Sequence, residues 1–278
     1  MNISTDMGPL WPGQPDTSSL HAQLDWLTQC EPFFRLQTGQ QGDTLAEWLD
    51  NRCSQVIALF CQDIQTQRAV GASMWLKGFS AHLLSGMAAL RLKFQRVMHF
   101  DVHTINLLLS PKGKVKAVSI TDDAPFYCLA TDPLAGSPLA RVVASEAALD
   151  AQFSALLVAL GQYMAPYFKI QKVSRTLFWG HWGYAVGLVF QKLTQNGADS
   201  VLLETLQPNA DRWLQSLLPA TATLNAIKVA SQAPMAVYYV RRETCCLKYK
   251  LDGKKHCSTC QLTDPEEQRR RYQAKLSA

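Results

Sequence analysis

Four of the chain's eight cysteines lie close together, and this group constrains the fold more than any other feature. They are Cys245, Cys246, Cys257 and Cys260, so an adjacent pair is followed by ten residues and then by a C-x-x-C pair. Thiolates are soft ligands that suit zinc or an iron–sulfur cluster. The sequence therefore predicts a metal centre, with the surrounding segment folded around it.

The spacing of the cysteines leaves the kind of metal open. Four-cysteine zinc sites usually have two C-x-x-C pairs, because each two-residue gap lets a tight turn aim both sulfurs at one ion. Cys245 and Cys246 have no gap, and adjacent side chains of an extended segment point to opposite sides. A two-iron cluster is wider and tolerates this divergence better. The geometry slightly favours iron–sulfur over structural zinc. A vicinal disulfide and cysteines without a role remain alternatives.

The run RRETCCLKYKLDGKKHCSTC at 241–260 resembles the C-terminal signature of the FhuF-type ferric siderophore reductases, Cys-Cys-x10-Cys-x2-Cys. In that family the four cysteines hold a [2Fe–2S] cluster, so the resemblance implies that the four cysteines named above are its ligands. The segments Leu177–Tyr184, Leu45–Trp48 and Ser73–Trp75 also look similar to the family. The likeness covers most of the chain, but it is sharp only at the cysteines.

The resemblance implies an oxidoreductase that acts on ferric siderophores. Siderophores hold Fe(III) with hard oxygen donors, and one added electron gives Fe(II), which those donors bind far more weakly. The expected substrate is a ferric siderophore of the hydroxamate type. The expected partners also include an external electron donor, and a peripheral association with the inner membrane is compatible with this role.

Two other functions compete with this interpretation. The first is a non-catalytic protein in which the four cysteines hold a structural zinc ion. The second is a siderophore-binding or biosynthesis-related domain, since the helical body is faintly similar to the C-terminal region of siderophore synthetases. Colour separates the redox protein from the zinc protein, because a [2Fe–2S] protein is red-brown and zinc is silent.

Basic residues surround the cysteines and predict where a substrate binds. Arg241, Arg242 and Lys248 are expected to attract an anionic chelate or an acidic electron donor. A solvated basic loop is the equally weighted alternative. From the rest of the chain, Trp179 and His103 are the candidate contacts with the chelate.

A second group of potential ligands lies at 99–103. His99, Asp101 and His103 alternate, so they share one face if the run is a strand. A metal or substrate face is one interpretation. The polar face of a half-buried strand is favoured, because no fourth ligand is apparent.

The composition narrows the classes of partner and location. The chain is 47% hydrophobic and 18% charged, which is typical of a globular protein, and its net charge of +5 is too small for a nucleic-acid binder. No secretory signal and no apolar run long enough to cross a bilayer is evident. We therefore expect a cytoplasmic protein without a transmembrane segment, where clustered cysteines are ligands rather than disulfides.

The periodicity predicts an α+β fold, with a helix-rich body, a small antiparallel sheet and a C-terminal iron–sulfur-binding lobe. Residues 1–16 are expected to form a loose leader, rich in Pro, Gly and polar residues. Residues 17–234 form the body, with a β-hairpin around 96–120, and residues 235–278 form the cluster-binding segment.

Overall fold

The computed structural model describes residues 19–40, 42–194, 200–216, 222–228, 236–254, 256–257 and 259–276. The leader expected at 1–16 lies outside the described residues. Within them, the predicted α+β class is confirmed, with a helix-rich body and the cysteine segment near the C-terminal end.

Helices make up most of the described chain. They are α1 (Leu20–Cys30), α2 (Leu45–Glu47), α3 (Cys53–Asp63), α4 (Arg68–Phe94), α5 (Glu146–Ile170), α6 (Arg175–Leu193), α7 (Ser200–Ser216) and α8 (Pro265–Leu276). A π-helical turn at Trp48–Arg52 joins α2 to α3, and short 3-10 turns lie at Pro32–Phe34 and Lys248–Lys250. Ser145 and Ser174 cap α5 and α6, and each side chain accepts a hydrogen bond from the backbone three residues on.

The strands form three small sheets. They are β1 (Leu36–Thr38), β2 (Asp43–Thr44), β3 (Val97–Met98), β4 (Ile105–Leu109), β5 (Val115–Ile120), β6 (Phe126–Leu129), β7 (Ala140–Val143), β8 (Ala222–Lys228) and β9 (Ala236–Arg242). Their orders are β1-β5-β4-β2, β3-β6-β7 and β8-β9. The β1–β5 and β6–β7 pairs are parallel, so two of these sheets are mixed where a single antiparallel sheet was expected.

The region around the predicted hairpin contains the antiparallel pair β4–β5, whose register shifts between Leu108 and Leu109. The run at 99–103 is not a strand, however, since β3 stops at Met98. The Asp101 carboxylate accepts hydrogen bonds from the backbone N–H groups of His103 (2.8 Å) and Thr104 (3.0 Å). This local bonding turns the chain, so the three alternating polar residues do not line one strand face.

Helix α6 packs between α4 and β9, and small side chains permit the close approach. On α4, the Ser85 hydroxyl donates to the Ala185 carbonyl oxygen (3.1 Å), so its buried oxygen is satisfied across the helix pair. On the opposite side, a Cβ at Gly187 would lie 3.1 Å from a methyl group of Val240 in β9. This packing fixes the end of β9, and with it the start of the cysteine segment, against the middle of α6.

A buried ion pair joins α4 to α5 and α7. The Arg91 guanidinium binds the Asp150 carboxylate at 2.9 Å, and the two side chains are only 4% and 2% exposed. The Trp213 indole donates to the same carboxylate (3.1 Å), and Arg212 contacts its second oxygen from the surface. The Asp150 carboxylate on α5 therefore connects this helix to α4 and α7.

Candidate metal centre

Strand β9 ends with two arginines whose side chains point to opposite sides, as the alternation of a strand requires. The Arg241 side chain donates to the Gln268 amide oxygen (2.9 Å), which fastens β9 to α8. The Arg242 side chain points into the protein and is fully buried. One arginine therefore holds the outer face of the cysteine segment, and the other lies beneath it.

The four cysteines include one pair of thiols in contact. The Cys246 and Cys257 sulfurs lie 3.8 Å apart, and burial, Cys257 and Cys245 all contribute to the raised pKa of Cys260. Cys246 and Cys260 are buried, whereas Cys245 and Cys257 are half-buried. The group thus contains two inner and two outer sulfurs.

The backbone after the adjacent cysteines makes this pairing feasible. Leu247 adopts a left-handed conformation with φ +61°, which is uncommon for a residue with a branched side chain. It turns the chain so that the Leu247 N–H donates to the Cys245 sulfur (3.4 Å). Further on, Gly253 also has a positive φ of +67°, which glycine adopts without strain, and the loop returns toward the second cysteine pair.

The C-x-x-C pair is held by hydrogen bonds to β9 and α8. The Cys260 N–H donates to the Cys257 carbonyl oxygen (3.0 Å), closing a tight turn. The Arg242 N–H donates to the Thr259 carbonyl oxygen (3.1 Å), and the Gln268 amide donates to the Cys260 carbonyl oxygen (2.6 Å). These contacts fix Cys257 and Cys260 beside the end of β9.

Two buried side chains of the helical body connect to the cysteine segment. The Ser73 hydroxyl on α4 donates to the Cys246 carbonyl oxygen (3.0 Å) and lies 2.8 Å from the His181 Nε2 atom of α6. On its other side, His181 Nδ1 lies 3.2 Å from Arg242 Nη1. A guanidinium only donates, so Nδ1 accepts and the ring proton is on Nε2.

Positive charge lies next to the thiols. The Arg242 guanidinium carbon is 3.4 Å from the centre of the Tyr184 ring, and the Lys77 ammonium lies 5.3 Å from the same ring centre. Both cations oppose the rise in the pKa of Cys246 that its hydrogen bond to Cys257 and its burial cause. Both also contribute to the lowered pKa of Cys257. Burial and the neighbouring Arg242 charge lower the pKa of His181 well below its usual value, so this imidazole is neutral.

The thiols differ in acidity because of their pairing and burial. The hydrogen bond between Cys246 and Cys257 raises the pKa of Cys246 and lowers the pKa of Cys257. Burial raises the pKa of Cys260 to about 11. Metal ligation requires thiolates, so a bound centre must displace the protons that Cys246 and Cys260 otherwise keep.

The donor set fits a [2Fe–2S] cluster, which is commonly held by four cysteine thiolates. In the described part of the chain, no three His, Cys, Asp or Glu side chains are arranged to hold one metal ion. The buried Arg242 also has two N–H groups without acceptors among these residues, and an anionic centre beside it would compensate its charge.

The structure places the candidate substrate residues in different environments. Lys248 is half-buried in the 3-10 turn after the first cysteine pair, and Arg241 is engaged with α8. Arg242 and Trp179 have almost no exposed surface; Trp179 packs edge-on against Trp182 in the core. His103 is exposed in the turn after β3, and within the described residues no hydrogen bond or ion pair joins it to the cysteine segment.

The analysis of the sequence missed the residues of the body that contact this site. They are Ser73, Lys77, His181 and Tyr184. Three of them lie within the segments 73–75 and 177–184, which resemble the family and supply the available signal. Gly180, His181 and Tyr184 lie on one face of α6, and this helical spacing is the signal that relates them.

Gly180 lies where α6 closely approaches the cysteine segment. A Cβ at this position would lie 1.8 Å from the Thr244 hydroxyl oxygen and 2.8 Å from its Cβ, so no side chain fits without movement. We expect Gly180→Ala to destabilise the protein by about 1–3 kcal/mol and to displace Thr244 together with the adjacent Cys245. Chemical denaturation and the iron content after reconstitution measure the two effects.

Gly78→Ala is the matched control for that substitution. Gly78 lies in the helix α4, and a Cβ there meets nothing within 4 Å. Replacing it should stabilise the helix by about 0.5–1 kcal/mol. Equal effects of the two substitutions would contradict the close packing between α6 and Thr244.

Residues 242–260 match the family model described as the FhuF 2Fe-2S C-terminal domain. The resemblance is therefore confirmed for the cysteine segment, and the cofactor of the matched domain is a 2Fe–2S cluster. The match indicates a redox protein in general. Comparison with curated proteins finds no significant match to the chain. In the described helices, no segment has both the length and the apolar character needed to span a membrane.

Proposed function

We propose that this chain is a ferric siderophore reductase in which Cys245, Cys246, Cys257 and Cys260 hold a [2Fe–2S] cluster. The observation that carries the proposal is the group of four cysteines within the matched segment, where the Cys246 and Cys257 sulfurs lie 3.8 Å apart. When bound, such a cluster takes up and releases one electron at a time. One electron from an external donor then converts the chelated Fe(III) to Fe(II), which the hard donors of the siderophore release.

The protein's own residues hold the thiols and shield them from water on one side. The Ser73 hydroxyl and the Leu247 N–H hold the adjacent cysteines 245 and 246. The Gln268 amide holds the C-x-x-C pair. Cys245 and Cys257 are half-buried. An electron therefore needs to cross little protein to reach a chelate or a donor at the surface.

The surface next to these outer sulfurs suits an anionic substrate or an acidic electron donor. Tyr249 and Lys250 are exposed, and Tyr249 packs edge-on against His256 (5.1 Å between ring centres). Unpaired basic groups raise the local concentration of anions. A hydroxamate-type chelate, a cytoplasmic location and a peripheral contact with the inner membrane belong to this proposal.

Spectroscopy of anaerobically purified protein tests the proposal. We expect a red-brown protein with about two irons per chain, as a [2Fe–2S] centre requires, whose visible absorption bleaches on addition of dithionite. The reduced protein mixed with a ferric hydroxamate should recover its absorption while a chromogenic chelator traps Fe(II). A colourless protein with one tightly bound zinc per chain would favour the structural alternative instead.

A further inference from the structure

The Arg242 side chain is a buried charge that meets no counter-ion among the described residues. Its exposed fraction is 0%, and its Nε and Nη2 groups have no hydrogen-bond acceptor there. A buried, unpaired guanidinium is strongly unfavourable, because protein dipoles have to replace its hydration. Its position therefore calls for an anion that the described part of the chain does not supply.

The contacts of Arg242 place it beneath the cysteine segment. Its backbone N–H donates to the Thr259 carbonyl oxygen, between the two cysteines of the C-x-x-C pair, and its Nη1 is connected through His181 and Ser73 to the Cys246 carbonyl oxygen. One face of the guanidinium covers the Tyr184 ring at 3.4 Å, so the ring excludes water from that side. The buried charge therefore lies on the inner side of the cysteine segment.

Three successive hydrogen bonds, in which each group donates to the next, set the orientation of Arg242. Arg242 Nη1 donates to His181 Nδ1, the His181 Nε2–H donates to Ser73, and the Ser73 hydroxyl donates to the Cys246 carbonyl oxygen. Every member has the donor or acceptor that its neighbour needs only while the imidazole is neutral. These hydrogen bonds therefore connect the guanidinium to the backbone of one thiol through two helices.

We propose that Arg242 is the built-in counter-charge of the cluster and that His181 is the positioning residue that aims it, so that together they raise the reduction potential. This inference rests on the proposed function. Reduction adds a negative charge to a centre that is already anionic, and a fixed cation in a dry site stabilises the reduced form more than the oxidised form. The Lys77 ammonium lies farther from the Tyr184 ring, at 5.3 Å, is half-buried, and contributes less.

Potentiometric titration followed by visible absorption and electron paramagnetic resonance tests the role in the potential. At a fixed potential, Arg242→Gln should lower the ratio of reduced to oxidised cluster by about tenfold, which is about 59 mV for a one-electron couple. Arg242→Lys keeps the charge and should shift the ratio less. His181→Leu should shift it in the same direction as Arg242→Gln. The control Arg141→Gln removes an exposed arginine in β7 and should leave the ratio unchanged.

Melting temperatures of the full chain with and without cluster give a second readout. Without cluster, Arg242→Met should melt higher than wild type, because the substitution removes an uncompensated buried charge. With cluster, the same substitution should melt lower, because the compensating pair is lost. The same sign in both states would overturn the inference.

The experiments separate failure of this inference from failure of the proposed function. A wild-type chain that binds no iron overturns both. A wild-type chain with a reducible [2Fe–2S] centre whose potential is the same in Arg242→Gln and in wild type overturns only the role of Arg242. Since Arg242→Lys retains the charge and the length of the side chain, it provides a folded comparison if Arg242→Gln folds poorly.

Discussion

Cys246→Ser is expected to remove the cluster and, with it, the reduction of ferric chelates. Cys246 is the inner member of the pair with Cys257 and is anchored through its carbonyl oxygen to Ser73. A serine oxygen is a harder and less donating ligand than a thiolate. The loss of iron should exceed the roughly 10–100-fold decrease in affinity that follows removal of an outer-shell partner. Iron analysis and visible absorption after anaerobic reconstitution measure it.

Cys30→Ser is the control for this experiment. Cys30 is a half-buried cysteine at the end of α1, outside the cysteine segment. The substitution should leave the iron content and the spectrum as in wild type. Loss of the cluster in both variants would mean that the iron is bound by cysteines other than the four in the matched segment.

Asp150→Ala is expected to produce the largest loss of stability. Asp150 receives hydrogen bonds from Arg91 and Trp213, and its carboxylate is 2% exposed. Removing it leaves the guanidinium of Arg91 buried without its carboxylate partner, which typically destabilises a protein by about 3–5 kcal/mol. For a protein of this size we expect a decrease in melting temperature of roughly 10 °C, measured by circular dichroism or calorimetry.

Asp43→Ala provides the same substitution at an exposed ion pair. Asp43 and its partner Arg52 are 39% and 51% exposed, so water already solvates both charges. The expected loss is below about 1 kcal/mol. Similar losses at Asp43 and Asp150 would show that burial does not determine the contribution of the Asp150 carboxylate.

Local pattern was sufficient to predict the features that depend on neighbouring residues. The cap at Ser145, the strands of the β4–β5 pair and the set of four cysteines follow from short stretches of sequence. The divergence expected for adjacent side chains agrees with the burial of Cys246 and the half-burial of Cys245. These features need no knowledge of which segments meet in the folded chain.

The remaining features depend on contacts between distant segments. Ser73 lies 108 residues from His181 and 173 residues from Cys246, so no window of sequence relates them. The parallel pairing of β1 with β5 is equally nonlocal. Arg241 and Arg242 have the same side chain, and only the register of β9 decides which of them is buried beneath the thiols. The sequence analysis assigned both to a substrate surface, which stays a prediction for Arg241.

The docking of the cysteine segment onto α4 and α6 has a consequence for biosynthesis. Both helices leave the ribosome before β9 and the cysteines do, and a chain folds in the order in which it emerges. Until β9 arrives, the face of α6 around Gly180 and Gly187 has no cover from Thr244 and Val240. The nascent body therefore exposes this face of α6 until β9 and the cysteine segment emerge and cover it.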